Sequence, residues 1–206
     1  MSPPQHRADR PLGRVAVVKE RFLEPYEEVP DGRRCGFATN EVLKTLTLHS
    51  NNIGDEGAKA IGGALAVNGV LKILDIRFNK IGPKGAAAIA EGLRGNGVLT
   101  DLNLSGNNIG GGTGWIKASE VEGESKEVGS KVIYQGREMV VSVGVDSDGE
   151  LQLVDVVQTG VLAIAKALEV NGVLTSIDLR GNNLSDEGKK AIQDAVSGRE
   201  GFKLEM

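Results

Sequence analysis

A phrase of 28 residues is written four times in this chain, each copy opening on the strand-like form LxxLxLxxN: LKTLTLHSN at Leu43, LKILDIRFN at Leu71, LTDLNLSGN at Leu99 and LTSIDLRGN at Leu174. The first three copies start 28 residues apart, whereas the fourth starts 75 residues after the third, which is 28 plus 47. A fixed period of this length specifies a stack of identical supersecondary units. The irregular step places an addition of 47 residues inside the third unit.

Each unit reads as a short strand, a turn and a helix. Apolar residues at the first, fourth and sixth positions put one strand face in a core, with the residues between them facing outward. Glycines follow at Gly54 and Gly57, Gly82 and Gly85, Gly110, and Gly188. The helix carries a small residue beside a large one, repeated four positions on: Ala60-Ile61 with Ala64-Leu65, Ala88-Ile89 with Gly92-Leu93, Ala163-Ile164 with Ala167-Leu168, and Ala191-Ile192 with Ala195-Val196. That spacing marks one helix face. Asn68-Gly69, Asn96-Gly97 and Asn171-Gly172 are expected to end the first three helices through a left-handed residue. The asparagines that close the strand motifs, Asn51, Asn79, Asn107 and Asn182, are expected to turn inward and hydrogen-bond the turn backbone.

No unit buries its own leucines, so neighbours complete the core. Strands repeat at about 4.8 Å and helices need roughly 10 Å, so the stack must bend with its helices outside. The expectation is an α/β horseshoe solenoid with parallel strands concave and helices convex.

The full phrase, LxxLxLxxNxIGxxG followed by a helix and NG, resembles the ribonuclease-inhibitor-type leucine-rich repeat. That subtype occurs in nucleotide-binding innate-immune receptors and in the Ran GTPase-activating protein. The resemblance covers 112 residues. It implies the horseshoe fold and non-catalytic recognition of a protein partner, with regulation of a small GTPase as the alternative.

The chain divides into residues 1–40, a tail and cap; 41–111 with 160–206, the repeats; and 112–159, the added block. In the block, KVIY and REMVVSV flank Gln135-Gly136, the pattern of a hairpin, and ELQLVDV follows a second turn from Asp146 to Gly149. A three- or four-stranded antiparallel module is expected, SH3-like in strand count. Its two aromatics, Trp115 and Tyr134, are candidates for its core or for a contact surface. Asp146, Asp148, Gly149 and Asp155 echo a calcium loop starting at Gly144, but glycine supplies no first ligand and the flanks read as strands. The glycines from Gly110 lack phosphate-loop spacing and read as a hinge.

Before the repeats, Val15, Val17, Val18, Phe22, Leu23, Tyr26 and Phe37 are expected to cover the edge of the first unit, while Phe202, 28 residues after Leu174, marks a closing strand. The outward strand positions form three columns: Thr47, Asp75, Asn103 and Asp178; His49, Arg77, Ser105 and Arg180; Thr45, Ile73, Asp101 and Ser176. Thr47, His49, Asp75, Arg77, Asp101, Asn103, Asp178 and Arg180 are the candidate partner-binding residues, joined by Trp115 and Tyr134 on the added block.

Composition excludes other classes. Cys35 is the single cysteine and the two histidines are His6 and His49, so no metal site, cofactor site or catalytic set is expected. The net charge is −4, with nine acidic and four basic residues between 112 and 159, which disfavours nucleic acid. An apolar leader and a membrane-length run are both lacking in the sequence, so the expectation is a monomer in the cytoplasm.

Overall fold

The computed structural model describes residues 15–17 and 40–206. Repeat strands β2 (Thr45–Thr47), β3 (Ile73–Asp75) and β4 (Asp101–Asn103) are each three residues long. Helices α1 (Gly54–Leu65) and α2 (Pro83–Gly95) follow the first two. After β4 come β5 (Ile116–Lys117), β6 (Lys131–Tyr134), β7 (Arg137–Val143) and β8 (Glu150–Asp155). The chain then resumes with α3 (Thr159–Val170), β9 (Ser176–Asp178), α4 (Asp186–Val196) and β10 (Lys203–Glu205). β1 (Val15–Val17) pairs with β2. The other residues expected to cap the first repeat, together with Cys35 and His6, lie outside the described residues.

The six short strands form one parallel sheet in the order β1, β2, β3, β4, β9, β10. Its register follows the period from β2 to β9, where Leu46, Leu74, Leu102 and Ile177 stand side by side and Leu204 of β10 lines up with them, flanked by the outward rows from Thr45 and from Thr47. The leucine-type residues at 71, 74 and 76, at 99, 102 and 104, and at 174, 177 and 179 are all at most 2% exposed.

Helix burial is wider than the small-large stripe. The large members are buried as expected, but Ala60 is exposed and Ala88, Ala163 and Ala191 are only half-buried, while Gly62, Ala90 and Ala165 are buried. The reason is lateral packing. A Cβ on Gly62 would stand 2.2 Å from the Ala88 carbonyl oxygen, and one on Gly92 would stand 2.1 Å from the Gly62 carbonyl oxygen, so α1 and α2 approach to backbone contact. In α4, which has no later helix beside it, the equivalent residue is Gln193, and it is exposed.

The Asn-Gly pairs also work differently from expectation. Asn96 and Asn171 leave their helices with extended backbone, at φ −81° and −82°, and no left-handed residue stops the helix. The asparagine side chain takes over. The Asn96 Oδ1 accepts from the backbone N–H groups of Val98 (3.0 Å) and Leu99 (2.8 Å), and its Nδ2 donates to the Leu65 carbonyl (2.7 Å) of the preceding repeat. Asn171 repeats this with Val173, Leu174 and Leu93. At the matching position of the last repeat stands Arg199, whose Nη1 reaches the Leu168 carbonyl at 3.3 Å and whose Nη2 donates to the Leu174 carbonyl. Burial lowers the pKa of this arginine, and its guanidinium lies 4.5 Å from the centre of the Phe202 ring.

A second ladder runs under the strand ends. The Asn79 Oδ1 accepts from the N–H groups of Asn51 (2.8 Å) and Ile53 (3.3 Å) in the preceding repeat, and Asn107 does the same for Asn79 (2.9 Å) and Ile81 (3.0 Å). Their Nδ2 groups bond carbonyls of their own and the preceding repeat, such as Leu48 and Ile76 from Asn79. Each asparagine thus staples two repeats together.

Strands β5 to β8 form a separate antiparallel sheet in the order β5, β8, β7, β6. Its core is aliphatic: Val121, Val132, Met139, Val141, Leu151 and Leu153. Gln135 and Gly136, both at positive φ, make the β6–β7 turn. At the β7–β8 turn, the Asp146 carboxylate accepts from the N–H groups of Asp148 (2.9 Å) and Glu150 (2.8 Å). Asp155 is instead on β8 and pairs with Arg137 at 2.5 Å, so the calcium-loop residues serve a hairpin turn and a cross-strand ion pair. The helix α3 begins at Thr159, inside the span 112–159 expected to be added. Gln158 makes hydrogen bonds to the repeats. It occupies the position of Asp55, whose Oδ1 accepts from Gly82 N (2.7 Å) and Gly85 N (2.9 Å) to cap the next repeat's helix; likewise the Gln158 Oε1 accepts from Ser185 N at 2.9 Å.

Candidate functional site

The outward face of the parallel sheet collects the candidate residues into in-register rows, because strand pairing aligns Thr47, Asp75, Asn103 and Asp178. Three of these four share one local geometry. The Oδ1 atoms of Asp75, Asn103 and Asp178 accept from the backbone N–H two residues on, at 3.2, 3.0 and 3.0 Å. This clamps each side chain against its own strand end. A row of acceptors follows, with the partner two residues later held above it.

In repeat two that partner is Arg77, whose Nε lies 3.3 Å from the Asp75 Oδ2. In repeat four Arg180 grips Asp178 with two bonds, Nε to Oδ1 at 3.0 Å and Nη2 to Oδ2 at 2.7 Å, and its Nη1 reaches the Glu205 carboxylate at 2.8 Å. Partial burial of Asp178 works to raise its pKa, but hydrogen bonds from the Arg180 side chain and backbone, the Arg180 charge and the Arg77 charge together hold it below the ordinary carboxylate value. The Asp178 pairing in turn raises the already high Arg180 pKa. The carboxylates are tucked down, with side chains 17% and 13% exposed, and the guanidiniums stand up at 42% and 60%.

The remaining candidates are arranged more simply. The Asn103 Oδ1 also accepts from the Ser105 hydroxyl at 2.7 Å, and Asp101 accepts from the Thr100 hydroxyl at 2.7 Å. His49 is exposed, with its Nδ1 3.4 Å from the Ser50 hydroxyl. Thr47 is half-buried beside Asp75. Trp115 and Tyr134 are not brought together: Trp115, 49% exposed, precedes β5, and Tyr134 ends β6, the opposite edge strand of the second sheet. Tyr134 packs against the aliphatic core, and its hydroxyl accepts from the Gln135 side chain at 3.1 Å.

Sequence reasoning missed Glu205. Counting 28 residues from Leu174 puts Phe202 in the leucine phase, but Lys203 pairs with Ser176, so β10 runs one residue ahead of that count. The shift has a clear cause, since a one-residue slip exchanges the two faces of a strand. The observed register turns Leu204 inward and leaves Lys203 and Glu205 outside. The alternation of charged and apolar residues in KLE was the available signal. Phe78 was also missed: it is 58% exposed and holds φ +54°, at a position filled by Ser50, Gly106 and Gly181 in the other repeats.

Among the described residues no group of three or more His, Cys, Asp or Glu side chains is placed to hold a metal ion. Among the same residues no helix is long and apolar enough to cross a membrane.

Four stretches match the leucine-rich repeat family model: residues 39–62, 67–90, 95–112 and 170–192. These stretches coincide with the strand-helix units that carry the register and the asparagine ladders above, and the third of them ends at residue 112, where the regular period also breaks. No curated protein matches the chain by sequence. Among solved structures, leiomodin-1 actin-binding site 2 is similar at 19% identity and a TM-score of 0.48, over 78% of this chain and 66% of that one. The tropomodulin C-terminal domain of Caenorhabditis elegans is similar at 10% identity and the same TM-score, over 78% of this chain and 68% of that one. The chain therefore spans just under two thirds of the leiomodin-1 structure.

Proposed function

We propose that the chain is a non-catalytic scaffold that binds a protein partner through the outward face of its parallel sheet, with the second sheet as a further contact surface. The observation that carries this reading is the pair of exposed guanidiniums, Arg77 and Arg180, each positioned by a tucked carboxylate on the same face. An arginine already held in place loses little side-chain freedom on binding and keeps donors for a partner's carboxylates or carbonyls. Thr47, His49, Asp101 and Asn103 complete the contact face, and Trp115 and Tyr134 are its counterparts on the second sheet.

The repeat is read as the ribonuclease-inhibitor type, curved as a horseshoe, because every repeat pairs a three-residue strand with a helix of 11 to 13 residues. The block expected at 112–159 is read as a module inserted into the third repeat, and the hydrogen bonds of Gln158 to the repeats support drawing its bounds at 111–157. The protein works as a monomer in the cytoplasm. Regulation of a small GTPase rests on the resemblance alone and is not part of this proposal.

The test is affinity capture with three forms of the full chain: native, a variant with Asp75, Arg77, Asp178 and Arg180 all changed to alanine, and one lacking residues 111–157. Loss of a reproducible partner from the alanine variant is expected. Undiminished capture by it removes the sheet face from the proposal. Sedimentation velocity of the native chain checks the monomer.

A further inference from the structure

Three of the exposed apolar side chains converge on one place. Val128, Val157 and Leu162 are 67%, 59% and 38% exposed, and all line an open groove of about 670 Å³ between the second sheet and the last two helices. The groove follows from the pattern of β7 and β8. Val141 and Leu153 face each other across these strands inside the module core, while the next pair along, Val140 and Val154, turns to the opposite face and lines the groove. A one-layer antiparallel sheet ordinarily presents polar side chains on its solvent face. Here that face presents valines, opposed by Leu162 and Leu184 of the repeats.

The charges at the groove are not balanced. Lys131 is matched by Glu138 at 3.2 Å, Lys189 by Asp186 at 3.5 Å, and Asp155 by Arg137 at 2.5 Å. Glu187, in the wall, has no ion-pair partner among the described residues. The block from 112 to 159 has nine acidic and four basic side chains, so the surrounding field is negative as well. The positive end of α4, which would favour an anion, is already answered by Asp186, Glu187 and the Ser185 cap on Gly188 N.

We propose that this groove docks a short peptide segment of the protein partner, one with apolar side chains flanked by lysine or arginine. The inference rests on the scaffold reading and adds to it the place and chemistry of one contact. Apolar side chains of the segment cover Val128, Val157 and Leu162. Its cations meet Glu187 and the acidic surround.

Two fluorescein-labelled peptides, one alternating leucine with lysine and one alternating leucine with glutamate, are titrated into the full chain and followed by anisotropy. The leucine-lysine peptide is expected to bind at least about tenfold more tightly. The double variant Val157→Ser with Leu162→Ser, whose sites are exposed and whose fold is checked by circular dichroism, should weaken it about tenfold. Glu187→Lys should abolish the preference between the two peptides. Equal affinity for both peptides in the native chain, or unchanged binding in the serine variant, overturns the proposal. In the capture experiment, a partner lost from the four-alanine variant and retained by the serine variant sinks the groove while leaving the scaffold reading standing. A partner retained by all variants, including the deletion, removes both.

Discussion

Replacing Asn79 by alanine isolates what the buried asparagine ladder contributes. The side chain is fully buried and makes five hydrogen bonds. On the donor side little is orphaned: the Leu48 carbonyl keeps its bond from Asn51 Nδ2, the Ile76 carbonyl keeps Asn107 Nδ2, and the Arg77 carbonyl keeps the Ser50 N–H. On the acceptor side, the N–H groups of Asn51 and Ile53 lose the carbonyl oxygen they share. One buried and one part-buried donor left unpaired cost about 1 to 3 kcal/mol each, so Asn79→Ala should lower stability by roughly 2 to 6 kcal/mol. Asn51→Ala is the internal control, because its Nδ2 donates to two carbonyls, Leu48 and His49, and no neighbouring N–H depends on it. Its effect should stay near 1 kcal/mol. In urea unfolding followed by far-ultraviolet circular dichroism, with a slope of roughly 2 kcal/mol per molar, the Asn79 variant should melt about 1 to 3 M earlier. Equal midpoints for the two variants would refute the argument that the shared oxygen is what binds adjacent repeats.

Four further outcomes are expected. Gly62→Ala, which drives a methyl into the Ala88 carbonyl, should destabilise by more than about 2 kcal/mol, whereas Gly63→Ala, with open space at its Cβ, should stabilise by about 0.5 to 1 kcal/mol; thermal melts of both check this. Arg199→Leu removes the donors to Leu168 and Leu174 and should lower the urea midpoint more than Arg199→Asn, which restores the ladder residue found in the other repeats. Asp178 has a folded pKa below its unfolded value, so its contribution is complete above about pH 4 and fades as pH falls through the lower folded value; Asp178→Asn should flatten that acid limb in pH-dependent melts. Excising 111–157 joins Gly110 to Gln158 and should leave a cooperatively folding chain with the native helix signal per helical residue, seen by circular dichroism.

The period carried most of the repeat architecture into view, because one 28-residue step fixes both the strand phase and the helix face. What it hid was anything that depends on contact between repeats. The phrase shows that Asn79 belongs inside, but only the packed stack shows its oxygen serving the backbone of the repeat before it. The same holds for Gly62, which reads as a small residue in one helix and acts as the bearing surface for the next. At the site, the rows from Thr47 and Thr45 were legible from alternation, whereas the tucking of Asp75 and Asp178 under their arginines depends on a strand end that sequence spacing does not describe. Glu205 was obscured by a single residue missing from the final step, for which counting has no remedy and burial does.

Gln158 shows how the repeat contacts on either side of residues 111–157 stay closed. The two ladders and the helix caps all bridge consecutive repeats, so a splice is harmless only where it severs none of them. Between Gly110 and Gln158 it severs none: the Gly110 N–H bonds the Asn182 carbonyl at 3.0 Å, and the Gln158 Nε2 donates to the Gly110 carbonyl at 3.2 Å and to Asn183 at 2.9 Å. The residues flanking 111–157 are thus tied to each other by the side chain that also accepts from the backbone at the start of the following helix. An aspartate there, as in the first repeat, would accept from Ser185 but offer no donor to the Gly110 carbonyl. Gln158→Asp in the intact chain should therefore loosen the base of the second sheet and speed amide exchange at Thr113 and Leu153, which bond each other there, while exchange at Asn51 and Ile53 stays unchanged. Uniform acceleration across all four repeats would show instead that the segment is anchored by the stack as a whole.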